Sequence, residues 1–142
     1  VYRGNKVLMA RHQRGNVEWW CLPGGGIHDD ESPSTAALRE LHEECNVTGR
    51  IIRETSVITY WDDKQYTYLV DIGAQKPLLG YDPEGETKTY VLAKIAWLEL
   101  REIPERDRSF LWAAGLMGIK EFFAELEQWT NDVSYPEVNP IQ

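Results

Sequence analysis

Six consecutive residues, Arg39-Glu40-Leu41-His42-Glu43-Glu44, place three carboxylates and one guanidinium on a segment with good helix formers on both sides. On a helix turning about 100° per residue from Ala36, Glu40, Glu43 and Glu44 fall near 40°, 340° and 80°. Ala37, Leu38, Leu41 and Cys45 fall between about 100° and 200° by the same geometry. One face is therefore apolar, and the other gathers three carboxylates around a small alanine. Like charges at these spacings cost roughly 0.2–0.5 kcal/mol per pair. Their place in the C-terminal half of the helix sets them against its dipole as well. A cation relieves both costs, and an all-oxygen donor set favours Mg²⁺ or Mn²⁺ over zinc. Taken alone, such an acidic run is a solvated helix face; its surroundings have to decide.

Those surroundings are a turn and a cap. Trp19 to Leu22 is a short strand ending at Pro23, and Gly24-Gly25-Gly26 interrupts regular structure. Ser32 is suited to cap a helix whose first position is Pro33. Asn46 suits its end, because Asn tolerates the left-handed conformation. Further strands are expected at Lys6–Arg11, Val47–Ile58, Tyr66–Ile72 and Thr89–Leu98, with a loop over Gln75–Thr87. A long amphipathic helix is expected at Ser109–Trp129, followed by an extended tail over residues 130–142. Strands interleaved with two helices predict an α/β/α sandwich with a mixed sheet between the helices.

The chain has 142 residues, 42% hydrophobic and 27% charged, which fits one domain spanning 1–142, its first strand open to truncation because the sequence starts at Val1 without Met. A formal charge of −8 argues against a duplex nucleic-acid partner. Neither a membrane-spanning apolar run nor a signal-peptide core is evident. Cys21 and Cys45 lack a metal-binding or redox spacing and read as small buried hydrophobes in a reducing compartment, by default the cytoplasm.

The stretch Gly25 to Val47 resembles the Nudix box. Gly25 is followed at the family's spacing by Glu31, by Arg39-Glu40-Leu41-His42-Glu43-Glu44, and by Cys45-Asn46-Val47. The lead-in Trp20-Cys21-Leu22-Pro23-Gly24-Gly25 is similar to the family's as well. Asn46 stands where the pattern has its last glycine, and His28-Asp29-Asp30 replaces the usual residues ahead of the box glutamate.

The resemblance implies an Mg²⁺-dependent hydrolase, with Mn²⁺ as a substitute, cleaving a diphosphate linkage in a nucleoside diphosphate derivative. It implies that Glu40, Glu43, Glu44 and the Gly24 carbonyl hold metal. It also implies that Arg39 orients a carboxylate and that either Glu43 or Glu44 is the base. Glu31 would support the loop or bind a further ion through water. An extra carboxylate is expected from Asp82, Glu84 or Glu86, with Glu84 preferred beside Pro83. Trp19, Tyr60, Trp61 and Tyr66 are candidate platforms for a base. Trp20 is expected to be structural. His28 and His42 are read as surface residues, and His12, near a strand end, carries no readable role. The alternative is a Nudix-fold module that senses a nucleotide without turnover, and pairing as a homodimer is compatible with either.

Overall fold

The computed structural model of the chain describes residues 1–83 and 90–119. Its elements are β1 (Tyr2–Arg3), β2 (Lys6–Arg14), β3 (Val17–Cys21), α1 (Pro33–Cys45), β4 (Arg50–Tyr60), β5 (Asp63–Asp71), β6 (Val91–Glu99) and α2 (Glu105–Ala113), with short 3₁₀ turns at Leu100–Glu102 and Leu116–Gly118.

β2 is the axis of the larger sheet. It pairs antiparallel with β1 through its first residues and with β3 through its last, while β6 runs along its length from Lys6↔Glu99 to Gln13↔Val91. Alternation along β2 sends Val7 and Met9 to one face and Leu8, Ala10 and His12 to the other. Both faces are covered. Val7 and Met9 pack with Leu100, Ile103 and Leu111 around α2, whereas Leu8 packs with Leu41 and Cys45 of α1 and with Val70 of β5. Each fully buried Leu or Met contributes about 1.5–3 kcal/mol. A strand buried on both faces explains why Lys6–Arg14 lacks the polar alternation of a half-exposed strand. Helices on opposite faces of this sheet give the α/β/α arrangement that the sequence predicts.

The β4–β5 hairpin forms a second, antiparallel sheet whose tight turn holds Trp61 at a φ of 54°. The last helix differs from expectation. It starts earlier, at Glu105, and ends at Ala113. Gly115 takes a left-handed φ of 85°, and a Cβ there would stand 2.6 Å from the Thr55 carbonyl oxygen. Apolar spacing alone carried the predicted helix across that glycine. The remainder of that prediction, residues 120–129, lies outside the described residues, as does the tail. Among the described residues no helix is long and apolar enough to cross a membrane.

Candidate active site

α1 carries most of the site, and local chemistry fixes both of its ends. Ser32 has extended backbone angles and its Oγ accepts the Thr35 N–H at 3.2 Å, with Pro33 in the first turn. Asn46 closes the helix at φ 52° and ψ 39°, its N–H donating to the His42 carbonyl at 2.9 Å. The chain then returns to this same end. The N–H groups of Leu78, Gly80 and Tyr81 donate to the carbonyls of Cys45, Glu44 and Glu43 at 2.9, 2.8 and 2.8 Å. The Asn46 side-chain amide donates to the Leu78 and Leu79 carbonyls at 3.3 and 3.4 Å. These bonds satisfy helix carbonyls that would otherwise lack partners, and they bring Asp82 to the site.

Two of the three helix carboxylates are buried rather than set on an open face. Glu40 is 2% exposed and Glu44 0%, in line with the small Ala36. The glycine-rich segment covers them: a Cβ on Gly25 would overlap the Glu40 carboxylate, so only glycine allows the loop this approach. Burial pushes the Glu40 carboxyl up to about 7, with Arg39 opposing the rise. Glu44 is also pushed up by burial, against the opposing effect of His12 and the Gly24 N–H.

Arg39 spans the first half of the site. Its guanidinium donates to Glu31 at 2.7 Å, to Glu40 at 2.9 Å, to Glu43 at 3.0 Å and to the Gly26 carbonyl at 2.8 Å. Three carboxylates share one cation, and the loop is tied to the helix by the same group. Hydrogen bonds from Arg39, then from the His28 backbone N–H, pull Glu31 down to about 2. The Glu31 carboxylate therefore braces the loop, accepting the His28 N–H at 2.9 Å.

Glu44 belongs to the other half. Its Oε2 accepts the Gly24 N–H at 3.0 Å, while Oε1 has no hydrogen-bond partner and lies 3.5 Å from His12 Nε2. An unmet buried carboxylate oxygen costs about 1–3 kcal/mol or more. His12, Glu44 and Asp82 are all buried, and each offers a ligand atom within 4.8 Å of the others. This cluster is capable of coordinating a divalent metal. The sequence reading had left His12 without a role. The missed signal was parity, because His12 follows Leu8 and Ala10 on the face of β2 that meets α1. Among the described residues, Asp82 is the carboxylate of its loop that reaches Glu44; the preferred Glu84, like Glu86, lies outside the described residues.

The four aromatic candidates are dispersed. Trp19 stacks on His12 with ring centroids 5.9 Å apart, and Tyr90 meets His12 edge-on at 5.4 Å. Tyr66 lines a cleft of about 690 Å³ together with Gly24, Gly25, Gly26 and Glu40. Trp61 sits at the hairpin tip, 97% exposed. Tyr60 ends β4, and its side chain is outside the described set. Trp20 is structural, packing on the α2-side core while its N–H donates to Asp107 at 2.9 Å. His28 and His42 are exposed.

Comparison with known proteins follows this geometry. The chain is 40% identical over 65 residues to human diphosphoinositol polyphosphate phosphohydrolase 2, covering 46% of this chain and 36% of that protein. It is 35% identical to the RNA pyrophosphohydrolase of Haemophilus influenzae, over 42% of this chain and 35% of the relative. It thus spans about a third of the length of these curated relatives. A Nudix hydrolase structure from Nitrosomonas europaea superposes with a TM-score of 0.62 at 18% identity, over 94% of this chain and 93% of that one. Finally, the family model described as the NUDIX domain matches residues 1–116, so the chain belongs to the Nudix family.

Proposed function

We propose that this chain hydrolyses a diphosphate linkage in a small nucleoside diphosphate derivative, using Mg²⁺ or, in its place, Mn²⁺. The observation that carries the reading is Glu44, a buried carboxylate with one oxygen unpartnered, beside further carboxylates that one guanidinium cannot neutralise. Hard oxygen donors of this kind fit such ions. Glu40, Glu43 and Glu44 would hold the metal, with the Gly24 carbonyl as a further donor. When bound, the ion supplies charge neutralisation on phosphate and a lowered pKa for water.

The protein's own residues then divide the work. Arg39 keeps Glu40 and Glu43 in fixed orientation. Glu43, whose side chain is 27% exposed, is the helix carboxylate that water can reach, and it accepts the proton of the attacking water. The new phosphorus–oxygen bond forms as the bridging bond breaks, and the leaving phosphate keeps that electron pair. Tyr66, on the cleft wall, would contact a base; Trp19 is held against His12, and Trp61 and Tyr60 lie at the β4–β5 turn. A cytoplasmic setting fits Cys21 and Cys45, whose thiols burial pushes up to about 12.

The test is a phosphate-release screen with Mg²⁺ over nucleoside triphosphates, nucleotide sugars and dinucleoside polyphosphates. A diphosphoinositol polyphosphate and an RNA are included because two relatives are named for such compounds. Metal-dependent release that Glu44→Gln abolishes is expected. Silence across the panel with retained nucleotide binding would replace the hydrolase with a sensing module.

A further inference from the structure

The donor set around Glu44 is not purely oxygen. We propose that His12, Glu44 and Asp82 form a mixed nitrogen–oxygen metal site that holds a first-row divalent ion such as Mn²⁺ in preference to Mg²⁺. The inference deepens the hydrolase reading by naming the ion at one end of the site, and it shares Glu44 with that reading.

Four observations support it. First, the three side chains are buried at 5%, 0% and 8% exposure, so the cluster is not a solvated acidic surface. Second, one of its polar atoms, Glu44 Oε1, is buried without a hydrogen-bond partner. Polar atoms in native interiors are rarely left so, which points to a ligand. Third, the spacing suits one ion. Octahedral bonds of about 2.1 Å place donors about 3.0 Å apart in cis and about 4.2 Å in trans. The observed separations, 3.5 Å from His12 Nε2 to Glu44 Oε1 and at most 4.8 Å within the trio, need only a small contraction.

Fourth, each ligand is held from behind. Gly24 N–H fixes Glu44 Oε2 and so aims Oε1 at His12. The imidazole stacks on Trp19 and meets Tyr90 edge-on, and those two rings are themselves 6.2 Å apart. Asp82 arrives on the segment bound to the end of α1. Arg39, by contrast, bonds to Glu31, Glu40 and Glu43.

Donor chemistry then sets the preference. Imidazole nitrogen is a poor partner for Mg²⁺, whose ligands are oxygens, and a good one for later first-row ions. Mn²⁺ accepts carboxylate oxygen and imidazole nitrogen alike, and its unpaired electrons report on its ligands.

The experiment loads the full chain with Mn²⁺ and records pulsed electron paramagnetic resonance, with Mn²⁺ titrations against competing Mg²⁺. Wild type is expected to show nitrogen coupling from one imidazole and to retain Mn²⁺ under a roughly hundredfold excess of Mg²⁺. His12→Gln should lose that coupling and weaken Mn²⁺ binding by about tenfold or more, with a smaller change for Mg²⁺. Asp82→Asn should weaken Mn²⁺ while the nitrogen signal persists.

Absence of nitrogen coupling in wild type overturns the proposal without reference to any variant. So does coupling that survives in His12→Gln, or unchanged Mn²⁺ affinity in Asp82→Asn. Phosphate release with Mg²⁺ in a protein lacking the nitrogen signal sinks this inference alone. A nitrogen signal in a protein silent on every substrate sinks the hydrolase reading alone.

Discussion

On the Glu31–Glu40–Glu43 side of α1, Arg39 reaches every carboxylate with a hydrogen bond; on the Glu44 side, a carboxylate oxygen faces a histidine and an aspartate without one. The carboxylates of the first side are tied to one cation by direct hydrogen bonds, and that geometry is complete before anything binds. On the second, one buried oxygen of Glu44 has no hydrogen-bond partner. Burial alone does not distinguish them, since Glu40 and Glu44 are almost equally hidden. The difference lies in the partner. A guanidinium holds carboxylates in place, whereas an imidazole and a second carboxylate leave room for a cation between them.

The sharpest way to break this contrast is at Glu44. Glu44→Gln is expected to lower turnover by about 10²–10³-fold, the scale of removing one preorganised electrostatic group. Folding should be no weaker, because the substitution removes a buried charge. A melting temperature that falls together with activity would make Glu44 a structural residue. Glutamine also donates as well as accepts, so it has a means of satisfying His12 that the carboxylate alone lacks.

Next comes Arg39. Arg39→Ala strands three carboxylates and should cost about 2 kcal/mol of stability together with a large part of the activity. Arg39→Lys should recover little of either, because one ammonium cannot span Glu31, Glu40 and Glu43 as a planar fork does. Equal recovery by lysine, in urea denaturation and in kinetics, would reduce Arg39 to a point charge.

A smaller effect follows from protonation. Glu40 sits at about 7 in the fold against an ordinary 4.5, so the folded chain binds more protons between those values. Its contribution is therefore most favourable below 4.5 and is lost as pH rises through 7. A metal must displace that proton, so the rise in melting temperature on adding Mg²⁺ should be greater at pH 8 than at pH 5.5. A pH-independent rise would separate Glu40 from the ion. Glu31 has the opposite sign: held near 2, it supports the fold fully above its ordinary 4.5, and that support is lost as pH falls from there through about 2. The smallest effect is expected for Asn46→Gly. Easier left-handed backbone then offsets two lost amide bonds to Leu78 and Leu79, leaving a net stability change within about 1 kcal/mol by unfolding.

Much of this was legible in the chain because it is local. The Ser32 cap, Pro33, the left-handed Asn46 and the spacing from Gly25 to Glu44 all act over a few residues, and the helix they define has the predicted start and end. What was hidden depends on elements distant in sequence. His12 gains its role from β2 packing on α1, and nothing near His12 reveals that neighbour except its parity with Leu8. Asp82 is selected by backbone bonds to the end of α1, which composition does not encode. The overextended last helix is the converse case: apolar spacing ran on past Gly115, whose left-handed turn is imposed by Thr55 some sixty residues earlier.

The backbone bonds from Leu78, Gly80 and Tyr81 to the end of α1 also make the position of Asp82 depend on the last turn of that helix. Their acceptors exist in the right positions only once the last turn of the helix has formed, so Asp82 cannot take its place before that turn does. Any breathing of this segment would dismantle one corner of the cluster while leaving the helix carboxylates assembled. The amide protons of those three residues are thus a clock for the completed site, and their exchange with deuterated solvent should slow when an ion joins Asp82 to Glu44.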